Sequence, residues 1–230
     1  MSAQEGSPRL DLPVILLGGG GHGRVLLDVL RLRAVTVLGI TDPHPEGVRR
    51  VLGVAVLGPD SAVFNHDLST ILLVNGLGST RDTRARHRLF ESFRLRGYSF
   101  ASLVHPGAIV AGDVLRGEGV LIMAGAVVQP GARLGANVLV NTRASIDHDC
   151  VIGDHVHLAP GVTLSGGVVV GAGAHVGTGA TVIEGVRIGA RALVGAGALV
   201  LRDVLDDARV AGVPARELAR SDAHAAEEQQ

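Results

Sequence analysis

The sequence predicts a two-part fold, an α/β N-terminal domain of Rossmann-like type followed by an all-β parallel β-helix. The β-helix is indicated by periodicity, because every sixth residue from 104 to 200 is aliphatic at sixteen of seventeen positions, with Arg116 as the exception. The residue two places before each of these is never larger than valine. A period of six fits neither an α-helix nor a two-residue strand alternation, and it is typical of hexapeptide repeats in parallel β-solenoids. Three hexapeptides would form one triangular coil with small and aliphatic side chains inside.

The aromatic residues indicate where one part ends and the other begins. All five, four phenylalanines and one tyrosine, fall at or before residue 100. Aromatic rings do not fit the narrow, close-packed interior of a hexapeptide coil. We therefore predict an N-terminal domain at 1–103, a β-helix at 104–204, and a C-terminal segment at 205–230 that ends in a loose tail.

The N-terminal domain begins with a strand, a glycine turn and a helix. The apolar strand Val14–Leu17 runs into a glycine-rich loop at 18–23, and apolar residues then recur at helical spacing. Further strands are predicted at 35–40 and 71–74, and Ser79 with Asp82 reads as a capping box for an arginine-rich helix that ends at residue 97. Alternating strands and helices favour a small parallel sheet.

The glycine loop is predicted to bind a nucleotide. Gly18, Gly20 and Gly23 fit the G-x-G-x-x-G pattern, and Asp42 follows nineteen residues after the last glycine. Backbone amides at the start of a helix face an anion, and a carboxylate at this distance can bind a ribose or a base edge. NAD and a nucleotide sugar both meet this description. About 100 residues leave little room for a full dinucleotide fold, which favours the nucleotide sugar; a purely structural turn is the third interpretation.

Composition excludes some classes of function. The 230 residues carry a formal net charge of -1, which argues against a nucleic-acid-binding surface. The single cysteine, Cys150, lies in the small inward register and is predicted to be a packed thiol. No apolar segment long enough for a membrane span or a signal peptide stands out, so we predict a cytoplasmic protein with no membrane partner.

Several motifs in order resemble one family. They are the loop at 18–23, the joining segment Val104-His105-Pro106, the hexapeptide solenoid and the stretch 141–150. The chain resembles the sugar O-acyltransferase and sialic acid O-acetyltransferase family, and within it the bacterial enzymes that N-acetylate nucleotide-linked amino sugars of the bacillosamine and perosamine type. The resemblance implies a left-handed β-helix and a homotrimer. It also implies acetyl-CoA in the groove between neighbouring helices and a nucleotide sugar held by the N-terminal domain.

The resemblance implies that His148 is the catalytic base. His148 stands two residues after an inward position, near a turn, from which a side chain can project outward. A neutral imidazole can accept the proton of an attacking amine, and Asp149, or second Asp147, would orient the ring. Gly166 follows His148 by one coil and matches the family's backbone amide that faces the thioester carbonyl. The plain alternatives are a solvated turn at His148 and a corner glycine at Gly166.

The acetyl-CoA contacts are also implied by the resemblance. His157 matches a second family histidine that contacts the acyl end, Gly166 is shared with the catalytic set, and the ending Ala211–Arg216 matches a G-x-P-A-R/K motif that lies along CoA. The cofactor-binding residues predicted are His157, Gly166, Gly212, Pro214, Ala215 and Arg216.

A metal site is the weaker alternative. His157 and His175 are one coil apart and should stack, which would suit a trimeric β-helix carbonic anhydrase with zinc between subunits. No third histidine follows either of them at short spacing within the next coil, so we predict no metal.

The nucleotide-sugar contacts implied by the resemblance lie in the N-terminal domain. They are Gly18, Gly20, Gly21, His22, Gly23, Asp42 and, from the arginine-rich helix, Arg84 ahead of Arg81.

The predicted function is transfer of acetyl from acetyl-CoA to an amine of a nucleotide-linked amino-deoxysugar, with His148 as base. O-acetylation of a sialic acid and a non-catalytic nucleotide-sugar sensor are the alternatives. The nucleobase and the sugar stay open.

Overall fold

The computed structural model describes residues 11–43 and 50–218. The N-terminal domain is a five-stranded sheet in the order β3-β4-β2-β1-β5. The strands are β1 (Val14–Leu17), β2 (Val37–Thr41), β3 (Arg50–Val51), β4 (Val54–Gly58) and β5 (Leu72–Asn75). The helices are α1 (Gly21–Leu32) and α2 (Arg84–Arg94), with a short 3-10 helix at Asp60–Asn65. All strand pairs are parallel except β3 with β4, which confirms the predicted α/β domain.

Strand β1 is central because it is apolar on both faces. All four of its side chains are fully buried, as expected for a parallel strand covered on two sides. Val14 and Leu16 pack toward α1, while Ile15 and Leu17 pack with Phe90 of α2.

Helix α2 differs from its prediction at both ends. It begins at Arg84, after Thr83, which makes no side-chain capping bond. The capping box is wrong because the Ser79 hydroxyl contacts His157 of the solenoid instead. The helix ends at Arg94, three residues before Gly97, whose φ of 87° turns the chain toward the next strand.

The second part is a parallel β-helix of two- and three-residue strands in three faces, as the repeat predicts. Face 1 contains Leu103–Val104, Leu121–Ile122, Leu139–Val140, His157–Leu158, His175–Val176, Leu193–Val194 and Arg209–Ala211, with Arg216–Glu217 antiparallel at its end. Face 2 contains Ile109–Val110, Val127–Val128, Ser145–Ile146, Thr163–Leu164, Thr181–Val182 and Leu199–Val200. Face 3 contains Leu115–Arg116, Arg133–Leu134, Val151–Ile152, Val169–Val170 and Arg187–Ile188.

The register of the stack is regular. Strands pair with the strand eighteen residues on, for example His157 with His175, and the inward residues of all three faces form one buried core. Cys150 is part of that core. The core continues beyond the predicted end at residue 204, because Arg209–Ala211 pairs with face 1 and Val210 is buried. Val194 pairs with Val210 after sixteen residues, which is why the six-residue pattern no longer reveals this last turn.

The N-terminal domain packs on face 1. Outward side chains of that face, including Leu121, Leu139 and Met123, are buried in the same cluster as Leu27 of α1 and Val14 of β1. Each fully buried leucine contributes about 1.5–3 kcal/mol, so this contact holds the two parts together.

In the described ranges, 11–43 and 50–218, no helix has the length and apolarity needed to cross a membrane.

Candidate functional site

His148 lies on an exposed corner between faces 2 and 3. The corner follows Ser145–Ile146, and its turn is made by Asp149, whose φ is 59°. His148 Nδ1 lies 2.9 Å from Asp149 Oδ2, and the His148 backbone N–H donates to Asp147 Oδ1 at 2.8 Å. The hydrogen bond to Asp149 raises the pKa of His148, and the charge of Asp147 adds to the effect. The ring is therefore oriented by a carboxylate at Nδ1, with Nε2 left to act on a ligand.

Gly166 lies beside the free nitrogen of this ring. A Cβ at Gly166 would stand 2.6 Å from His148 Nε2, closer than real side chains allow. The positive φ of the corner is taken by Gly167, at 67°, so Gly166 is not the turn residue. The Gly166 N–H donates to no backbone acceptor within the described residues, whereas the Gly167 N–H donates to His148 O at 2.9 Å. A free amide next to an imidazole can bind an oxygen that gains negative charge.

The glycine loop opens α1 in the predicted way. Gly18 has a φ of 99°, and a Cβ at Gly23 would stand 2.1 Å from Gly18 O, so the turn and the close approach both need glycine. Gly20 and Gly21 face open space, since a Cβ there would meet no atom within 4 Å. Helix α1 begins at Gly21 and has no acidic residue in its first turn, so its N-terminal amides are available to an anion.

Asp42 lies next to this loop, as predicted. It follows β2, and its Oδ2 is 3.5 Å from where a Cβ on Gly19 would stand. Its backbone N–H donates to Gly58 O at 2.9 Å. The carboxylate thus lies at the edge of the sheet from which the glycine loop leaves.

A cleft of about 710 Å³ lies between the loop 78–81 and face 1. Its polar lining comes from both parts of the chain: His22, Ser79, Thr80 and Arg81 from the N-terminal domain, and Asn141, His157, His175, Thr178 and Arg209 from the solenoid. The predicted substrate residue His22 and the predicted acyl-contact residue His157 therefore share one cavity.

Ser79 joins the two parts at the centre of this cleft. Its Oγ is 2.5 Å from His157 Nδ1 and 3.3 Å from His175 Nδ1. The two rings are edge to face with centroids 4.9 Å apart, which confirms that they are neighbours one coil apart. His157 Nε2 is also engaged, by Asn141 Nδ2 at 3.2 Å.

Burial keeps the imidazoles of the cleft neutral. It lowers the pKa of His175, and it lowers that of His157 well below the usual value, with further contributions from His175 and Arg86. Burial, then the Arg86 guanidinium, lowers the pKa of His22 to about 4.

Arg86 is a buried cation that sequence reasoning missed. It is fully buried; its Nη1 donates to Asn75 O and Leu77 O at 2.9 Å each, and burial lowers its pKa to about 9. Nothing in its surface-like arginine-rich segment distinguishes it from its neighbours. Arg84, the predicted substrate contact, is exposed and bonded to Asp82 at 3.0 Å, while Arg81 lines the cleft.

The C-terminal segment lies on the last strand of face 2. Leu199 N donates to Gly212 O at 3.0 Å, and Ala215 N donates to Leu199 O at 2.8 Å. Pro214 follows a cis peptide bond, and Arg216 is exposed. Leu199 is two coils beyond the Gly166 coil, so these predicted CoA contacts lie three rungs beyond it, on a face that borders the His148 corner.

One cluster has the composition of a metal site. His87 and Glu91 of α2 and His155 of the solenoid bring their ligand atoms within 4.8 Å of one another. The His87 and His155 rings are stacked at 3.7 Å, so their nitrogens do not converge on one point.

The hydrogen bonds around His155 favour a different role for this cluster. Asn137 Nδ2 lies 3.0 Å from His155 Nδ1, and Asn137 Oδ1 accepts from Asn75 Nδ2. Asn75 is itself oriented by donation to Arg86 O and by acceptance from Leu77 N. The neutral His155 ring then carries its proton on Nε2, which faces Glu91 at 3.4 Å. The arrangement fits a hydrogen bond between the two parts better than ligation.

The predicted residues thus fall into two groups. His148, Asp149 and Gly166 meet at the corner between faces 2 and 3. The glycine loop, Asp42, His22 and His157 lie on the side of face 1, because the N-terminal domain packs there. One protomer does not bring the two groups together.

Two family models match the chain. The PglD N-terminal domain matches residues 13–93, and the bacterial transferase hexapeptide (six repeats) matches residues 131–166. UDP-N-acetylbacillosamine N-acetyltransferase of Bacillus subtilis (strain 168) is 41% identical over 117 residues, which is 48% of this chain and 51% of that protein. The match thus spans about half the length of this curated relative.

Solved structures resemble the chain over most of its length. The perosamine N-acetyltransferase of Caulobacter crescentus, in complex with CoA and GDP-perosamine, is 40% identical with a TM-score of 0.85, covering 90% of this chain and 97% of that one. The acetyltransferase domain of PglB from Neisseria gonorrhoeae FA1090, in complex with acetyl coenzyme A, is 32% identical with a TM-score of 0.84, covering 90% and 98%.

Proposed function

The chain belongs to the family of hexapeptide-repeat N-acetyltransferases that act on nucleotide-linked amino sugars, and from this premise we propose that it transfers acetyl from acetyl-CoA to an amine of a nucleotide-linked amino-deoxysugar. The observation that carries the proposal is the His148 corner. A carboxylate holds Nδ1, and Nε2 points at a glycine with a free amide.

The residues at this corner can perform the transfer without a covalent enzyme intermediate. The amine attacks the thioester carbonyl, and His148 Nε2 accepts the proton that the amine loses. The carbonyl oxygen gains charge and accepts a hydrogen bond from the Gly166 amide. The CoA thiolate leaves and takes the proton, which restores the neutral imidazole.

The two substrates fit the two groups of residues. The diphosphate binds the open amides of Gly20 and Gly21 at the start of α1, with Asp42 on the ribose or base. CoA runs along the solenoid from Gly166 to the segment Gly212–Arg216, three rungs away or about 14 Å. An extended molecule suits such a path, and Arg216 suits its phosphates.

The active enzyme is a homotrimer in this proposal. His148 lies on the corner opposite face 1, while the N-terminal domain covers face 1, so the base of one protomer reaches the sugar held by a second. The trimer is checked by light scattering on the purified chain. A stable monomer with full activity would rule out shared sites.

The activity is tested by following CoA thiol release with 4-amino-sugars linked to UDP, GDP or dTDP. We expect one of these to be acetylated at nitrogen, with the product identified by mass spectrometry. The proposal fails if the wild-type protein acetylates only a hydroxyl of a sialic acid, or if it binds a nucleotide sugar without consuming acetyl-CoA. The cytoplasmic location stays a prediction, to be checked by cell fractionation.

A further inference from the structure

His157 has no ring nitrogen left for a ligand. The Asn141 amide is oriented by its Oδ1, which accepts from the Thr142 backbone N–H at 2.8 Å, so its Nδ2 faces His157. His157 Nε2 accepts from that Nδ2 at 3.2 Å. A neutral imidazole carries a proton on one nitrogen, and here it must be Nδ1.

The proton on His157 Nδ1 sets the direction of the next bond. Nδ1–H donates to Ser79 Oγ at 2.5 Å, so the Ser79 hydroxyl has its own proton free to donate. The second neighbour of Oγ is His175 Nδ1, at 3.3 Å. Ser79 O–H therefore donates to His175 Nδ1, and His175 in turn carries its proton on Nε2.

His175 Nε2 is the end of this chain of donors. It has no hydrogen-bond partner within the part of the chain that the structure describes, and His175 lines the cleft that also contains His22 and Arg81. His175 as a residue is 4% exposed, and its Nε2 reaches the cleft, since the fully buried side-chain atoms without a partner in the described residues belong to His22 and Arg86. An N–H that faces a cleft and has no protein acceptor can donate to an oxygen of a ligand bound there.

We propose that His175 Nε2–H donates a hydrogen bond to an uncharged oxygen of a bound substrate, and that Ser79, His157 and Asn141 are positioning residues that fix this donor. This proposal deepens the proposed function, which it takes as its premise. Two sources offer such an oxygen, the acyl or amide carbonyl of acetyl-CoA and a hydroxyl of the sugar. In this proposal His157 positions His175, in place of the acyl contact that the resemblance implies for it.

Burial keeps the His175 donor neutral. Burial, and after it the Arg86 guanidinium among other charges, lowers the pKa values of His157 and His22, while burial lowers the pKa of His175 against the opposing charge of Asp82. The cleft therefore offers a directed dipole and not an imidazolium charge.

The register of face 1 supplies a matched variant. Leu121, Leu139 and Leu193 occupy the same position as His157 and His175 in other coils of this face. His175→Leu therefore continues an apolar ladder that the fold already uses, and the solenoid is expected to tolerate it. His175→Gln keeps an N–H donor near the position of Nε2.

The protonation pattern is measured first, on the full chain labelled with ¹⁵N-histidine. We expect the side-chain nitrogen shifts of a ring protonated at Nδ1 for His157 and at Nε2 for His175, with the latter lost in Ser79→Ala. A proton on Nδ1 of His175 overturns the proposal whatever the activity of the enzyme. This readout stays valid if the proposed acetyl transfer fails.

Substrate binding is measured second, by calorimetry and steady-state kinetics. We expect His175→Leu to weaken the binding of one substrate about 5- to 10-fold, which is the effect of losing one hydrogen bond to a ligand. His175→Gln is expected to restore part of that affinity. Weaker binding of acetyl-CoA would identify the acceptor as a carbonyl of acetyl-CoA. Weaker binding of the nucleotide sugar would identify it as a sugar hydroxyl. Unchanged affinity for both overturns the proposal.

The relay itself is tested by a double variant. Ser79→Ala is expected to weaken binding of the same substrate about 2- to 5-fold. Adding Ser79→Ala to His175→Leu should not weaken binding further, because the donor that Ser79 positions is already gone. Additive losses would mean that Ser79 acts independently of His175, which contradicts the positioning role.

Discussion

His148 and His157 stand nine residues apart in the sequence and differ in almost every physical respect. The His148 ring is exposed on a corner between two carboxylates, which raise its pKa. The His157 ring is buried beneath the N-terminal domain, near other imidazoles and Arg86, and its pKa is well below the usual value. The same side chain is therefore prepared to accept a proton in one place and to stay neutral in the other. The difference comes from what packs above each face of the solenoid.

The largest effect is expected from replacing His148. We expect His148→Ala to lower kcat about 10²- to 10⁴-fold with both substrates still bound, because a general base contributes that much and an exposed corner side chain adds little to folding. Thiol release against substrate concentration gives kcat, and His66→Ala is a control outside both groups. Near wild-type turnover at neutral pH would refute the role of base.

Gly166 tests whether the corner has room for a side chain. In Gly166→Ala the new Cβ would press on His148 Nε2, and we expect kcat to fall about 10- to 100-fold from displacement of the base and its ligand. Gly112→Ala is the matched control, since a Cβ there meets nothing within 4 Å. Equal melting temperatures with unequal kcat would locate the effect in the site. Equal kcat would show that the ring and the amide do not act together.

Replacing Asp149 tests why the pKa of His148 is raised. The base must be neutral, and its pKa is raised, so activity should rise with pH as it passes through that raised pKa. Asp149→Asn removes the largest cause of the shift, and we expect the acid limb of kcat to move to lower pH while maximal kcat falls about tenfold. The pH profile of both proteins measures this. An acid limb that moves to higher pH would contradict the stated cause.

Replacing Asp42 tests the predicted binding of the nucleotide sugar by the N-terminal domain. We expect Asp42→Ala to weaken the binding of the nucleotide sugar about tenfold or somewhat more, the lower end of the value of a hydrogen bond to a charged group, and to leave acetyl-CoA affinity unchanged. Calorimetry with each substrate separates the two. Tight binding of NAD, with no response to a nucleotide sugar, would overturn the ligand class.

The solenoid could be predicted almost completely from the sequence, because one period fixes the face, the level and the inward or outward direction of each residue. His148 and Gly166 could be brought together by counting one coil, and so could His157 and His175. Counting does not extend to contacts between the two parts. Ser79 has the pattern of a helix cap, and nothing in the sequence shows that its hydroxyl meets two histidines 78 and 96 residues away. Arg86 is likewise one arginine among several until packing buries it.

The regular stack limits the lengths of ligand that a solenoid of this kind can bind along its axis. Distance along the solenoid axis is counted in whole coils of eighteen residues, each raising the chain by about 4.8 Å. A corner can absorb a change in residue count, as the sixteen-residue last turn does, but the height of a rung does not change with it, so the length along the axis is altered only in complete rungs. The path from Gly166 to Gly212 can therefore change in length only by whole rungs, and a longer or shorter ligand would require the gain or loss of an entire rung.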